Sequence, residues 1–151
     1  MKIIIDTQEK QFGHIISQFN KKNIKWIKSH LEFGDYTFIS GNKNYKYDIV
    51  VERKNSLDEL AQNFTKYRQR FENEMMKANA SGAKIILLIE NSTPDMIKNH
   101  KYRSKFHPNA FIGSLNSWHY KYNLDVYFIE NIIYTYKFIY NTFLKYLGNK
   151  S

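Results

Sequence analysis

The chain has 151 residues, 42% of them apolar and 17% aromatic, enough for one packed domain and unlike a disordered segment. It has no cysteine, which excludes a disulfide framework and a thiolate zinc site. Its formal charge of +9, from 23 Lys and Arg against 14 Asp and Glu, favours a polyanionic partner: nucleic acid first, an anionic membrane surface second, with a lysine-rich composition that serves no partner as the third reading.

In chain order, Lys2 to Ile5 is a short apolar run and reads as a buried strand. Gln11 to Lys22 places Phe12, Ile15, Ile16 and Phe19 on one helix face. Ile24 to Ser29 reads as a strand, and so do Tyr36 to Ile39 and Tyr47 to Arg53, the last two joined by the polar turn Ser40-Gly41-Asn42. Ser56 with Glu59 three residues on forms a capping box that opens a helix. Tyr67, Phe71, Met75 and Ala78 form one face of a longer helix, with Arg68, Arg70 and Lys77 on the other and Ser81-Gly82 at its end. Lys84 to Ile89 is almost uninterrupted apolar sequence, the mark of a central strand covered on both faces. Thr93-Pro94-Asp95 opens a short helix as N-cap, N1 and N2.

The stretch from His100 to His107 is basic and unpatterned, hence a loop. Pro108 then opens a helix with the apolar face Phe111, Leu115, Trp118 and Tyr122. Val126 to Ile129 is a last strand. Ile132, Tyr136, Ile139, Tyr140, Phe143 and Leu147 form the face of a final helix ended by Gly148. Strands and helices alternate, which predicts an α/β domain with a central mixed β-sheet flanked by helices on both faces. No segment is apolar for long enough to span a bilayer and the first residues form no leader, so a cytoplasmic protein with no membrane association is expected. The five histidines are scattered, with no paired spacing, and read as surface or turn residues.

Chemistry concentrates between Gly34 and Asp58. Asp35 opens one strand and Glu52-Arg53-Lys54 closes another. Alternation along a strand points Glu52 and Lys54 the same way and Arg53 the opposite way. If the two strands pair, Asp35 meets Glu52 and Lys54 at the open end of a hairpin. Two carboxylates beside a lysine suit a hard divalent ion, with the lysine placed to act on a water or a phosphate. The main-chain carbonyl of Arg53, between two site residues, is a further candidate ligand. The Arg53 side chain is expected to hold a carboxylate such as Asp58 or Glu90.

The pattern Gly34-Asp35, Glu52-Arg53-Lys54, then three residues and Asp58 resembles the signature of the XPF-family structure-specific endonucleases. The likeness extends to a first strand ending in Asp6 with Glu9 three residues on, a buried strand Ile85 to Ile89 ending in Glu90, and a helix-then-strand close from Pro108 to Ile129, and so covers nearly the whole chain. The family usually has arginine where this chain has Gln8. The resemblance implies a restriction-endonuclease-like fold and a DNA endonuclease dependent on Mg²⁺ or Mn²⁺, with a preference for flaps, forks or junctions and roles in DNA repair and recombination. It implies Asp35, Glu52, Arg53 and Lys54 as catalytic residues, Asp35, Glu52, Asp6 and Glu9 as metal ligands, and Asp58 as a support behind them. It also implies that such domains pair.

Other readings stay open beside these. Asp6-Thr7-Gln8-Glu9 is equally a capping box at a strand-to-helix junction. Asp58, in the first turn of its helix, suits the helix dipole. Lys66 and Arg68 can reach a phosphate from the helix after the site, or be solvated helix-face charges. Lys98, Lys101, Arg103 and Lys105 lie around Tyr102 and Phe106, which suits backbone contact with base stacking, or loop packing. Ile133, Tyr134, Phe138 and Leu144 give the final helix a second apolar stripe, so a homodimer through the C-terminal helices is expected unless the helix from Phe111 to Tyr122 covers it. The whole of 1–151 is expected to form one nuclease domain, without a helix-hairpin-helix or helicase module. A non-catalytic nucleic-acid-binding or dimerisation module of the same fold is the alternative.

Overall fold

The structure, a computed structural model, describes residues 1–150, the side chain of Lys150 excepted. Its elements are β1 (Lys2–Ile5), α1 (Gly13–Lys21), β2 (Trp26–Lys28), β3 (Tyr36–Ser40), β4 (Lys43–Asn44), β5 (Ile49–Lys54), α2 (Leu57–Phe64), α3 (Arg68–Ser81), β6 (Lys84–Glu90), α4 (Pro94–Lys98), α5 (Pro108–Tyr122), β7 (Leu124–Ile129), a 3-10 turn at Ile132–Tyr134 and α6 (Thr135–Lys150). They form one mixed sheet in the order β2-β1-β3-β5-β6-β7, with β4 folded back on β3. The restriction-endonuclease-like α/β architecture expected from the sequence is the one observed.

Alternation along the central strands sends side chains into two separate cores. Val50, Ile85, Leu87 and Ile89 pack under α2, α3, α4 and α5, around Phe64, Phe71, Phe111 and Trp118. Val51, Ile86 and Leu88 face the other way, onto Ile15 and Phe19 of α1 and Ile139 and Phe143 of α6. The apolar run of β6 is thereby explained, since each side of that strand is covered. Among the described residues no helix is long and apolar enough to cross a membrane.

Local rules hold at several helix ends. Ser56 accepts a hydrogen bond from Glu59 N at 3.1 Å, and Glu59 Oε1 accepts from Asn55 N at 2.8 Å, one residue before the cap. Thr93 caps α4 with Pro94 behind it, and Gly82 closes α3 in the left-handed region at φ +84°.

Two expectations are corrected. The turn at Gly41 joins β3 to the short β4 rather than to β5; β3 and β5 still lie side by side and antiparallel, in register at Tyr36 and Val51. The last helix runs past Gly148 to Lys150, and Ile133 and Tyr134 lie in the 3-10 turn before it.

Candidate active site

Three strand ends converge at one end of the sheet. Asp35 sits just before β3, between β1 and β5: its carbonyl accepts from Asp6 N at 2.9 Å and its own N–H donates to Val51 O at 2.8 Å. Its side chain turns back to accept from Arg53 N at 2.8 Å. A carboxylate thus takes the place of the next ladder bond between β3 and β5, which fixes its direction. Gly34 makes the approach possible. It has φ +76°, and a Cβ there would stand 2.6 Å from Val50 Cβ.

Glu52 and Lys54 share the face of β5 that looks toward α3, as strand alternation requires, and both are buried. Lys54 Nζ lies 3.9 Å from Glu52 Oε2 and 4.5 Å from the centre of the Phe71 ring. Burial raises the Asp35 carboxyl to about 6, with the charge of Glu9 adding to it against the lowering effects of Glu52, Lys54 and the Arg53 N–H. Glu52 is pushed well above the carboxylate range by burial first and by Asp35 second. Burial pulls Lys54 down, but Glu52, Asp35, Glu59 and Glu74 outweigh it and hold the ammonium above its ordinary value. Both acids, one half-buried and one buried, are held above their ordinary range beside a charged amine, the situation in which a proton or a hard cation is taken up readily.

Arg53 points to the opposite face, away from Glu52 and Lys54. Nε donates to Glu9 Oε2 at 2.9 Å, Nη1 to Glu90 Oε1, and Nη2 to the carbonyl of Lys10 at 2.6 Å. Glu90, buried at the end of β6, also meets His14 Nε2 at 2.7 Å and Thr135 Oγ1 at 2.6 Å. The expected ion partner is therefore Glu90 together with Glu9; Asp58 lies elsewhere. This arginine clamps β5 to the chain after β1 and to the end of β6, where Glu90 in turn takes Thr135 of α6, and it does not face the carboxylate pair. His14 accordingly has a buried partner, which its place among scattered surface histidines did not suggest.

Asp6 and Glu9 line the same cleft, but their oxygens are engaged. Asp6 Oδ1 accepts from Leu31 N at 2.8 Å and Oδ2 from Gln8 N at 3.3 Å, so the carboxylate holds the turn after β1. Glu9 takes Arg53 on one oxygen and Lys10 N, at 3.0 Å, on the other. Among the described residues no three His, Cys, Asp or Glu side chains gather into a ready metal cluster. Asp58 is a tether: Oδ1 accepts from Arg103 N at 2.9 Å and Ser104 N at 2.7 Å. It thereby holds the basic loop beside the start of α2 and presents Lys101, Arg103 and Lys105 to solvent. The loop's aromatics serve packing, for Tyr102 and Phe106 lie half-buried on Phe111 at centroid distances of 5.4 and 5.3 Å. Arg68 is largely structural, stacked 5.5 Å over Trp118 with Nη1 on Phe64 O at 3.2 Å. Lys66 is exposed beside Tyr67.

The carboxylate pair opens into a cleft of about 720 Å³ whose far wall is α2 and α3. That wall carries Glu59, Asn63, Arg70 and Glu74, which the sequence reading did not place at the site. Glu74 Oε1 accepts from Gly34 N at 3.1 Å and so pins the glycine turn to α3. The available signal was weak: Arg70 and Glu74 are i, i+4 neighbours with Phe71 beside them, but so are many residues on solvated helix faces.

No curated protein matches the chain. Its fold is similar to that of XPF from Aeropyrum pernix, at 17% identity and a TM-score of 0.69 over 95% of this chain and 60% of that one. It is similar also to XPF from Aeropyrum pernix in complex with DNA, at 18% identity and a TM-score of 0.71 over 99% of this chain and 65% of that one. This chain therefore spans less than two thirds of the length of either, and at such identity the likeness is one of fold. The model of the ERCC4 domain matches residues 5–142, which include Asp6, Asp35, Glu52, Arg53, Lys54, Asp58 and Glu90, and with it the chain is a member of the ERCC4 domain family.

Proposed function

We propose that the domain is a metal-dependent endonuclease that hydrolyses phosphodiester bonds in DNA, with Asp35 and Glu52 holding Mg²⁺ or Mn²⁺. The observation that carries this reading is the half-buried Asp35 and buried Glu52 with buried Lys54 beside them at the floor of an open cleft. Two acids held close with little water around them destabilise each other unless a proton or a cation lies with them. The donors are all oxygen, which fits a hard ion that keeps several waters, and the Arg53 carbonyl between the site residues is the main-chain oxygen nearest in sequence to both. A bound ion would supply Lewis acidity at the phosphate and a more acidic water.

The protein's own part is separate from that chemistry. Lys54, charged and pressed against Phe71, has its amine confined beside the pair, where it can donate to an attacking water or to a phosphate oxygen as negative charge grows there. Arg53 keeps the end of β5 in place from the opposite face. The charge of +9, the exposed Lys66, Lys101, Arg103 and Lys105, and the existence of a DNA complex of the similar XPF structure support DNA as the substrate. Branched DNA is the preferred form in this reading, and a homodimer its working state.

The test is a cleavage panel of linear, flap, fork and four-way-junction DNA with Mg²⁺, with Mn²⁺ and with chelator. Metal-dependent cleavage is expected, lost in Asp35→Asn and Glu52→Gln and mostly lost in Lys54→Ala, with each variant folded. Turnover of Asp35→Asn near that of the parent chain would remove the assignment. Binding without cleavage on every substrate leaves a non-catalytic DNA-binding module.

A further inference from the structure

We propose that Arg70, propped on Tyr67, is a backbone-phosphate clamp on the α3 wall of the cleft, taking a phosphate of the strand that enters the site. The proposal rests on the nuclease reading for the identity of the ligand and on separate observations for the residue. Arg70 lines the cleft that contains Asp35 and Glu52. Its side chain is exposed, and its guanidinium lies 4.6 Å from the centre of the Tyr67 ring.

What marks Arg70 out is that the fold gives it no acid. On a helix surface its natural partner is Glu74, four residues on. Glu74 instead spends Oε1 on Gly34 N at 3.1 Å. The other carboxylates of the cleft are engaged as well: Glu59 by Asn55 N at 2.8 Å, Glu9 by Arg53. Arg68, two residues away, shows the contrast, since the backbone of α2 and the Trp118 ring hold it. Arg70 has its guanidinium over an aromatic ring and lines the cleft. A guanidinium so placed matches the two free oxygens of a phosphodiester, which its planar fork of donors can grip bidentately. The ring limits the rotamers the side chain must give up on binding.

Across the cleft Lys10 is exposed on the chain after β1. A strand lying over the carboxylate pair therefore has a cation on either wall. The acidic floor repels the phosphate that must approach it, and a fixed arginine beside it offsets that repulsion.

The experiment compares the parent chain with Arg70→Ala, Arg70→Lys and Tyr67→Leu. Binding to a labelled fork is measured in chelator over a range of salt, alongside single-turnover cleavage with Mn²⁺ and thermal melts. For Arg70→Ala we expect an affinity loss of about tenfold and a log–log salt slope shallower by roughly 0.9. Arg70→Lys restores the slope but only part of the affinity, because it keeps the charge without the fork. Tyr67→Leu lies between. Unchanged affinity and slope in Arg70→Ala overturn the proposal, as does a parent chain that binds no DNA in chelator. If Arg70→Ala lowers the melting temperature, Arg70→Lys decides: a slope that stays reduced in a stable lysine variant overturns the clamp. Because binding is read without metal, a parent chain that binds but never cuts refutes the nuclease reading and still tests Arg70.

Discussion

At Asp35 one carboxylate serves the backbone and the cleft at once. One oxygen completes the β3–β5 ladder on Arg53 N, while burial and the charge of Glu9 raise its pKa to about 6. The raised value means that the metal-free fold binds protons more tightly than the unfolded chain, whose aspartate titrates near 3.8. Between these values the folded state holds the extra proton, so stability falls as pH rises through about 6. The stabilisation is fully present below the unfolded value and absent above the folded one. We predict that the metal-free protein melts lower at pH 8 than at pH 5, that Asp35→Asn narrows the difference, with Glu52, raised mainly by burial, supplying what is left, and that Mn²⁺ restores stability at pH 8 in the parent only. A parent melting profile flat over that range in chelator would contradict the buried-pair account. Arg53 sets a second test. Arg53→Ala leaves Glu90 and Glu9 buried without their cation and should cost about 3–5 kcal/mol in denaturant melts. A loss under 1 kcal/mol would show the clamp to be dispensable. Asp35, Glu52 and Lys54 were legible because strand alternation is local. Arg70 and Glu74 were not, because their place depends on where α3 crosses the end of β5, which no spacing within α3 encodes.

Gly34 joins the residue to the element. Its φ of +76°, its close approach to Val50 and its bond to Glu74 are all needed for the chain to enter β3 with Asp35 aimed at β5. We predict that Gly34→Ala destabilises by about 2 kcal/mol and lowers cleavage more than that loss accounts for, because the carboxylate is displaced. Equal activity per folded molecule, measured at a temperature where both proteins are native, would refute the positioning role. The basic loop is a second case. Among the described residues Asp58 alone holds Arg103 N and Ser104 N, so Asp58→Ala should raise amide exchange at residues 100–107 and leave α2 intact; unchanged exchange would mean that the packing of Tyr102 and Phe106 suffices. Most elements could be read from caps and periodicity because those signals lie within four residues. The partner of β3 could not: Gly41 announces a turn, but whether the returning chain pairs for two residues or for six is set by the sheet as a whole.

For the molecule, the two cores decide which surfaces remain. The helix α5 lies on the opposite face of the sheet from α6, so it does not cover the second apolar stripe of the C-terminal region. Phe138 finds Tyr127 at 5.1 Å, but Ile133, Tyr134 and Leu144 stay 48%, 57% and 41% exposed. A second subunit over this surface is the proposal that fits, and light scattering should give twice the chain mass at micromolar concentration. Ile133→Asp with Leu144→Asp should return one chain mass, and a parent chain already at one chain mass would dismiss the dimer.

The ion cluster at Glu90 has a consequence for synthesis on the ribosome. Its members come from residues 9, 14, 53, 90 and 135, nearly the full span of the chain. Arg53 behind Glu52 and Lys54 is held by residues 9 to 90, but Glu90 gains its Thr135 bond only after the start of α6 has emerged and docked. A nascent chain shorter than that would hold every candidate catalytic side chain and still lack the Thr135 bond to Glu90 and the packing of Ile139 and Phe143 on the far side of the sheet. Cutting activity should therefore switch on late, as the last helix arrives, and a chain stopped after residue 131 should be inactive although it retains Asp35, Glu52 and Lys54. Cleavage by that shortened chain at the parent rate would show that the site assembles without α6.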